Sequence, residues 1–555
     1  MKVLFTALHF GYFRNFESVI VALAERGHRV HLLAEEPERF GGQELVERLA
    51  GAHETVSWGW APLRDEDPWL PSVRKLRHGL EHIRFLDPRY DRFLKVREVA
   101  EGRAPRGLIA LLRRPFIGSQ AGRDLVAALL RGAERMMPTS EAVESLLRER
   151  APDLLMLASL TYSRSQQIDH LKAARKLGIR TAACVMGFDH LSSKAPIHIV
   201  PDRIFVWNET QRQEAIELHG IAADRISVTG AQCYDQWFGR QPTRSRTEFC
   251  RSVGLHEDRP FMLYVCSAMS PNPNEARFVL DWVRRLRESG DPRLRDAGVL
   301  IRPHPERMKD WNDIDLSSFR NVVLRGRNPI DGDTKADYFD ALSHASAVVG
   351  IVTSAFLEAG VVGRPVHTLL LPQFKAYQEE MRHFTYLLEV EGGLLQAARS
   401  FEEHFVQISA SLAGQDHHRA QTLRFLRAFI RPRGLDTPAT AVFIEELEAL
   451  CRQPAPAPVT VPLVSRLIGP AVRRLAVAGT GASWMMDPIE RRDALTAAAN
   501  IEHKRLERGA KEQDKRRRLA QKRRRQIVVG LKTAAKRAMG MPVGRSGAAD
   551  RGRRQ

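Results

Sequence analysis

Residues 2–8 form a mostly apolar run, followed by a polar and aromatic stretch at 9–14 and a helix-periodic segment at 16–25. Gly27 and a second apolar run at 28–34 come next. The pattern predicts strand, loop, helix and strand within about 30 residues, the unit of a parallel sheet, with Gly27 stopping the helix. From about 62 to 138 the rhythm gives way to a stretch rich in Arg, Leu and Pro, where an irregular helical insertion is expected. The alternation then resumes, with strands at 153–160, 181–186, 203–207 and 226–229 and helices at 166–177 and 210–219. A second series begins with a strand at 261–266 and a helix at 275–287. Strands at 299–302 and 321–324, a helix at 335–344, a strand at 347–352, a helix at 353–361 and a strand at 366–371 complete it. Two such blocks imply an α/β protein of two doubly wound parallel-sheet domains facing a cleft.

The expected boundaries are 1–238 for the first domain, with its insertion, 239–400 for the second, and 401–452 for closing helices. Residues 453–458 (Gln-Pro-Ala-Pro-Ala-Pro) have linker composition. Beyond them Leu463, Leu467, Ile468, Ala471, Val472 and Leu475 recur at helical spacing beside Arg466, Arg473 and Arg474, and a basic tail ends the chain.

Length and composition fit this plan. At roughly 150 residues per domain, 555 residues suffice for several units, and 43% hydrophobic residues supply real cores. No apolar run approaches the roughly 20 residues of a membrane span. The apolar start is interrupted by His9, Arg14, Asn15 and Glu17 and reads as a first strand rather than a signal peptide, so a cytoplasmic protein is expected. Five scattered cysteines without a CxxC pair indicate neither a disulfide framework nor a zinc site.

The net charge of +19 changes the picture only once it is located. Residues 503–555 hold 19 Lys and Arg against 4 Asp and Glu, a net +15, which leaves about +4 for the other 502 residues. The body is nearly balanced and its basicity belongs to an appendage. Basic segments with apolar residues on one side (Leu463–Leu475, then Ile527, Val528, Val529 and Leu531) suit an anionic membrane surface, which would hold the protein at the inner face of the cell membrane. Non-specific nucleic-acid binding and a solubilising appendage are the less favoured readings.

Candidate chemistry clusters past strand ends, where ligands bind in open α/β sheets. His304 stands between Pro303 and Pro305, which hold the backbone extended. With Arg302 beside it, it suits a phosphate or a sugar hydroxyl, although both could simply brace the strand end. Thr353 and Ser354 stand where a helix should begin, fitting an anion site or an ordinary cap. Glu358 follows one turn later. In the first domain, Gly11 permits close approach of a substrate, and His9 has a pKa range suited to a general base. Asp189 (base or acceptor ligand) and Lys194 (anion contact) follow another strand end, and Asp189 and His9 are not ranked against each other. The first loop lacks GxGxxG, so no dinucleotide fingerprint is present. Asp331-Gly332-Asp333 imitates a metal-binding DxD, but its context fits a loop with helix capping, so no metal and no cofactor is expected.

The Arg302-Pro-His-Pro segment and the Ser354…Glu358-Ala359…Gly363-Arg364-Pro365 segment resemble GT-B glycosyltransferases. Within that fold the chain is similar to bacterial surface-polysaccharide transferases and to the CDP-glycerol glycerophosphotransferases. The stretches 188–194, 201–203, 206–209, 228–232 and 431–436 carry the likeness further, over roughly residues 1–450. The resemblance implies a nucleotide-activated donor held by Arg302, His304, Thr353, Ser354 and Glu358, the last on the ribose hydroxyls, and transfer of a sugar to a cell-envelope glycan or lipid-linked acceptor. A glycerophosphate transferase, a UDP-GlcNAc 2-epimerase and a non-enzymatic membrane- or nucleic-acid-binding scaffold are the competing expectations.

Overall fold

A computed structural model of the chain describes residues 1–488 apart from 39–40, 65–66, 159, 164, 269–273 and 461–462. The basic tail, including Ile527–Val529 and Leu531, lies outside the described residues. Residues 1–486 form one compact unit containing two parallel sheets.

The first domain runs β1 (Lys2–Ala7), α1 (Glu17–Glu25), β2 (Arg29–Ala34), α2 (Gly42–Ala52) and β3 (Val56–Trp60). The insertion follows as α3 (Leu70–Phe85), α4 (Leu94–Arg103), α5 (Arg106–Leu112) and α6 (Gln120–Met136). The chain then resumes with α7 (Glu141–Arg150), β4 (Leu154–Leu157), α8 (Gln167–Lys176), β5 (Arg180–Cys184), α9 (His190–Ser193), β6 (Arg203–Val206), α10 (Glu209–His219) and β7 (Ile226–Val228). Strand order is β3-β2-β1-β4-β5-β6-β7, with neighbouring strands parallel.

The second domain comprises α11 (Arg246–Val253), β8 (Phe261–Val265), α12 (Glu275–Arg287), α13 (Pro292–Arg295), β9 (Gly298–Arg302), β10 (Val322–Leu324), α14 (Gly332–His344), β11 (Ala347–Gly350), α15 (Ala355–Val361), β12 (Val366–Leu369), α16 (Arg382–Glu389) and β13 (Gln396–Ala398). Its order is β10-β9-β8-β11-β12-β13, also parallel. Helices α17 (Phe401–Leu412), α18 (Arg419–Phe429), α19 (Ala439–Arg452) and α20 (Leu463–Gly479) follow.

The α/β alternation in two blocks is as the periodicity predicts, because strands covered on both faces read as continuous apolar runs. Phe5, Leu32 and Leu155 are fully buried in the first sheet, as are Leu263, Ile301 and Val348 in the second. Several details differ from the expectations. Residues 10–16 are a 3-10 helix rather than a loop, with Phe10, Phe13 and Phe16 buried at their threefold spacing. The pair α2–β3 and the edge strand β13 are additions. Edge strand β3 is only partly buried and includes Gly59, which blurs its signal. The insertion is not irregular: its four helices are well formed, and Arg77 of α3 joins Glu134 of α6 at 3.0 Å and Asp169 of α8 at 3.2 Å.

Two segments beyond residue 430 return to the first domain. Phe443, Ile444, Leu447 and Leu450 of α19 are buried in the core shared with β1, β2 and α1. The Pro-rich stretch after it is laid down rather than free-standing. Arg180 donates to the carbonyl of Pro454 at 2.7 Å, and the Val459 amide to Arg175 O at 2.8 Å. A proline-rich chain lacks donors of its own, so its carbonyls are satisfied by a guanidinium.

Candidate active site

Each sheet reverses its strand order beside its first strand, between β1 and β4 and between β8 and β11. At such switch points the connections diverge to opposite faces and leave a crevice at the carboxyl ends. The residues after β1, β4 and β5 and those after β8, β9 and β11 line one cavity of about 530 Å³. It contains eight of the nine predicted site residues: His9, Gly11, Asp189, Arg302, His304, Thr353, Ser354 and Glu358. Lys194 is not on its wall.

On the second-domain wall, β9 delivers Arg302 and His304. Arg302 is buried, donates to Asp337 at 3.3 Å and to Arg327 O at 3.0 Å, and its guanidinium lies 4.9 Å from the Tyr338 ring centre. It therefore braces the strand end against α14 as well as lining the cleft. His304 is half-buried and caps the following 3-10 turn, its Nδ1 accepting from the Glu306 amide at 3.3 Å. Acceptance at Nδ1 puts the ring proton on Nε2, leaving a neutral donor. Burial lowers the pKa of this ring, and Arg14 and Arg307 lower it further against Glu306.

The helix after β11 begins two residues later than the pattern predicts. Thr353 Oγ1 accepts from the Ala355 amide at 3.3 Å, whereas the Ser354 side chain makes no cap bond and is exposed at the cleft. Glu358 is half-buried, accepts a hydrogen bond from the Tyr338 hydroxyl and lines the cavity. Burial raises its carboxyl, against the pull of Tyr338, Arg14 and Arg302.

On the first-domain wall, His9 follows β1 with its ring 3.9 Å, centre to centre, from that of Tyr12. Gly11 is required by its neighbours at least as much as by a substrate, since a Cβ there would meet His9 Nδ1 at 3.2 Å. Gly42 at the start of α2 is tighter still, a Cβ there falling 2.1 Å from the Gly11 nitrogen. Asp189 forms an ion pair with Lys194 at 3.1 Å, and the Lys194 ammonium lies 5.8 Å from the Tyr162 ring centre. Burial would raise the Asp189 carboxyl, but Lys194, His190 and His383 outweigh it and hold it well below the usual carboxylate range. Burial pushes both histidines down to about 4, so at neutral pH Lys194 is the partner that carries charge. The lysine expected to meet an anion is thus engaged with Asp189.

Several cavity residues were not singled out from the sequence. Arg14 reaches across from the first domain, 3.5 Å from Asn328 Oδ1, close enough to influence Glu358 and His304. Lys335 pairs with Glu17, a second link across the cleft. Tyr338, Tyr162 and Arg327 complete the walls. Arg14 could have been noticed from its place in the first loop; Tyr338 sits mid-helix, where a tyrosine ordinarily means core. Asp331 of the DxD-like triplet is spent as the N-cap of α14, accepting from the Thr334 amide at 2.7 Å in a capping box.

Two doubly wound domains whose strand ends face one cleft define a GT-B-type architecture. No family model and no curated protein matches the chain. Among solved structures, UDP-GlcNAc 2-epimerase from Neisseria meningitidis bound to UDP-GlcNAc is similar at a TM-score of 0.46 and 12% identity, over 81% of this chain and 100% of that one. A glycosyltransferase from Rickettsia africae ESF-5 gives 0.47 and 9%, over 82% and 99%. WaaG, a glycosyltransferase involved in lipopolysaccharide biosynthesis, gives 0.41 and 12%, over 81% and 100%. The similarity is one of fold alone; the class follows from the two sheets and the cleft.

Proposed function

We propose that the protein is a glycosyltransferase that moves a sugar from a nucleotide-activated donor to a cell-envelope glycan or lipid-linked acceptor. The observation carrying this reading is the convergence of two chemically different walls on one cavity. The second-domain wall offers the His304 Nε2–H, the Thr353 and Ser354 hydroxyls and the Glu358 carboxylate. Those groups match phosphate oxygens and a ribose diol. The first-domain wall offers a proton acceptor in His9 and an ionised Asp189.

In the reaction the acceptor hydroxyl oxygen bonds to the anomeric carbon while the bond from that carbon to the phosphate oxygen breaks. The leaving nucleotide takes the electron pair, and the hydroxyl proton passes to the base. We assign His9 as that base, because Asp189, held well below the usual carboxylate range, has little proton affinity at neutral pH. Asp189 orients the acceptor by accepting from its hydroxyls. Charge growing on the leaving phosphate is met by His304 and by Arg14, placed on opposite sides of the cleft. The reading also holds the protein at the inner face of the membrane.

Incubation with a panel of nucleotide sugars and CDP-glycerol, with and without envelope glycan fragments, tests the proposal through released nucleotide. Acceptor-dependent release from a nucleotide sugar is expected. Release only from CDP-glycerol makes the protein a glycerophosphate transferase, and acceptor-free conversion of UDP-GlcNAc makes it an epimerase; either result overturns sugar transfer.

A further inference from the structure

Among the described residues, large exposed apolar side chains concentrate in two places that are distant in sequence. One is the insertion, where Phe116 is 93% exposed and Leu125 and Leu129 are 62% and 64% exposed. The other is α20, where Leu463, Leu467 and Leu475 are each 71% exposed. The two places are adjacent in space. Ser72 of α3 donates to Ala476 O at 2.5 Å, and the Gly107 amide at the start of α5 to Trp484 O at 2.8 Å. A Cβ on Gly469 would lie 3.7 Å from Met136 O at the end of α6. Helix α20 thus lies on the insertion helices, using Ser465, Gly469, Val472, Ala476 and Gly479 as its less exposed face. That leaves Leu467 and Leu475 pointing away.

On α6 the exposed leucines stand four residues apart, on one side of the helix. Phe116 sits at the turn before α6, its carbonyl accepting from Ser119 Oγ at 2.7 Å. Leucines and a phenylalanine at such exposures normally mark an interaction surface. The charges nearby indicate its partner. Arg114, Arg131, Arg135, Arg466 and Arg474 are exposed, and none has a carboxylate partner among the described residues. Unpaired cations beside exposed leucines complement a surface that is apolar inside and anionic at its rim.

We infer that the α5–α6 turn and α6, together with α20, are a docking face for an anionic lipid bilayer. Phe116, Leu125 and Leu129 enter the acyl boundary, and the arginines meet lipid phosphates. The insertion is then the part of the chain that holds the cleft near a membrane, separately from the basic tail and independently of which donor the cleft takes.

The test uses the full chain and sedimentation with vesicles of phosphatidylglycerol and phosphatidylcholine, compared with phosphatidylcholine alone. Binding to the anionic vesicles is expected, and Phe116→Ser/Leu125→Ser/Leu129→Ser should weaken it by about ten-fold or more with an unchanged melting temperature. Undiminished binding of the triple variant overturns the inference. So does a wild-type dimer that the same substitutions convert to a monomer without any vesicle binding, which would assign the face to a second copy. Phe116→Trp guards against a folding artefact: it should retain binding and gain a component of emission quenched by bromine-labelled acyl chains. Binding with no added quenching overturns the inference equally.

Discussion

His9 and Asp189 face the same cavity, but their surroundings suit them to different work. The Lys194 ion pair keeps Asp189 ionised, so removing its charge should disturb acceptor placement more than proton transfer. Asp189→Asn is expected to raise acceptor KM about ten-fold, and His9→Ala to lower kcat by about 10²-fold or more. Steady-state kinetics on both variants would separate the roles, and a larger kcat loss in Asp189→Asn would reverse the assignment. His304→Ala and Glu358→Ala should each weaken nucleotide diphosphate binding by roughly ten-fold, the worth of one charge-assisted hydrogen bond. Their melting temperatures should stay near wild type.

His304 was legible because the flanking prolines and the apolar run before it mark a rigid strand end. Thr353, Ser354 and Glu358 were legible as polar residues just past a buried strand. Tyr338 was not, because its role depends on Arg302 and Glu358 meeting it from two other elements. Neither the Asp189–Lys194 pair nor the packing of Gly42 against Gly11 leaves any trace in spacing.

At the scale of elements, the insertion is fixed by charge. Arg77 of α3, Glu134 of α6 and Asp169 of α8 all have side chains no more than 2% exposed. Arg64 adds a contact to Asp169 at 2.7 Å, and Lys172 one to Glu134 at 3.4 Å. Deleting one member of such a set strands the others without water. Arg77→Ala should therefore cost about 3–5 kcal/mol, read as a lower urea midpoint, and it should loosen the docking helices from the domain beneath. The helical content of the insertion could be read from the sequence. Its lock could not, since charged residues in helices usually face solvent.

The whole molecule holds its two domains together partly through Glu214 of α10, which accepts from the Tyr386 hydroxyl of α16 and lies 3.9 Å from Arg382. Burial pushes the Glu214 carboxyl up to about 7, with Tyr386, Arg382 and Arg84 opposing. Burial does the same to Glu35 in the first domain, against hydrogen bonds from Gln166 and Ser165. Both ordinarily titrate near 4.5. Between pH 4.5 and 7 these two carboxyls keep protons in the folded chain that they have released in the unfolded one, so each lowers stability as pH rises through that window. Buried histidines such as His190 and His383, pushed down to about 4, act in the opposite sense. Each carboxyl by itself lowers stability by at most about 3 kcal/mol across the window. Glu214→Gln should therefore make the stability read by urea unfolding change more favourably from pH 5 to pH 8 than in wild type, by at most about 3 kcal/mol; an identical change would refute this account of Glu214.

The two-block alternation made the pair of sheets visible in advance, because buried parallel strands and amphipathic helices have distinct periods. The return of α19 to the first domain was not visible, since an apolar helical face does not say which core it fills. The Pro-rich stretch after it misled for a related reason. Its composition indicates an extended chain, not whether Arg180 waits to bind its carbonyls.

The central claim is that the cleft between the two sheets binds a nucleotide diphosphate through the wall that holds His304 and Glu358. Isothermal titration of the wild-type protein and of Glu358→Ala with UDP, CDP, GDP, ADP and dTDP tests it most directly. Saturable one-to-one binding of at least one nucleotide, weakened roughly ten-fold in the variant, is the expected result. Heat signals indistinguishable from dilution for all five, or binding that Glu358→Ala leaves untouched, would contradict it.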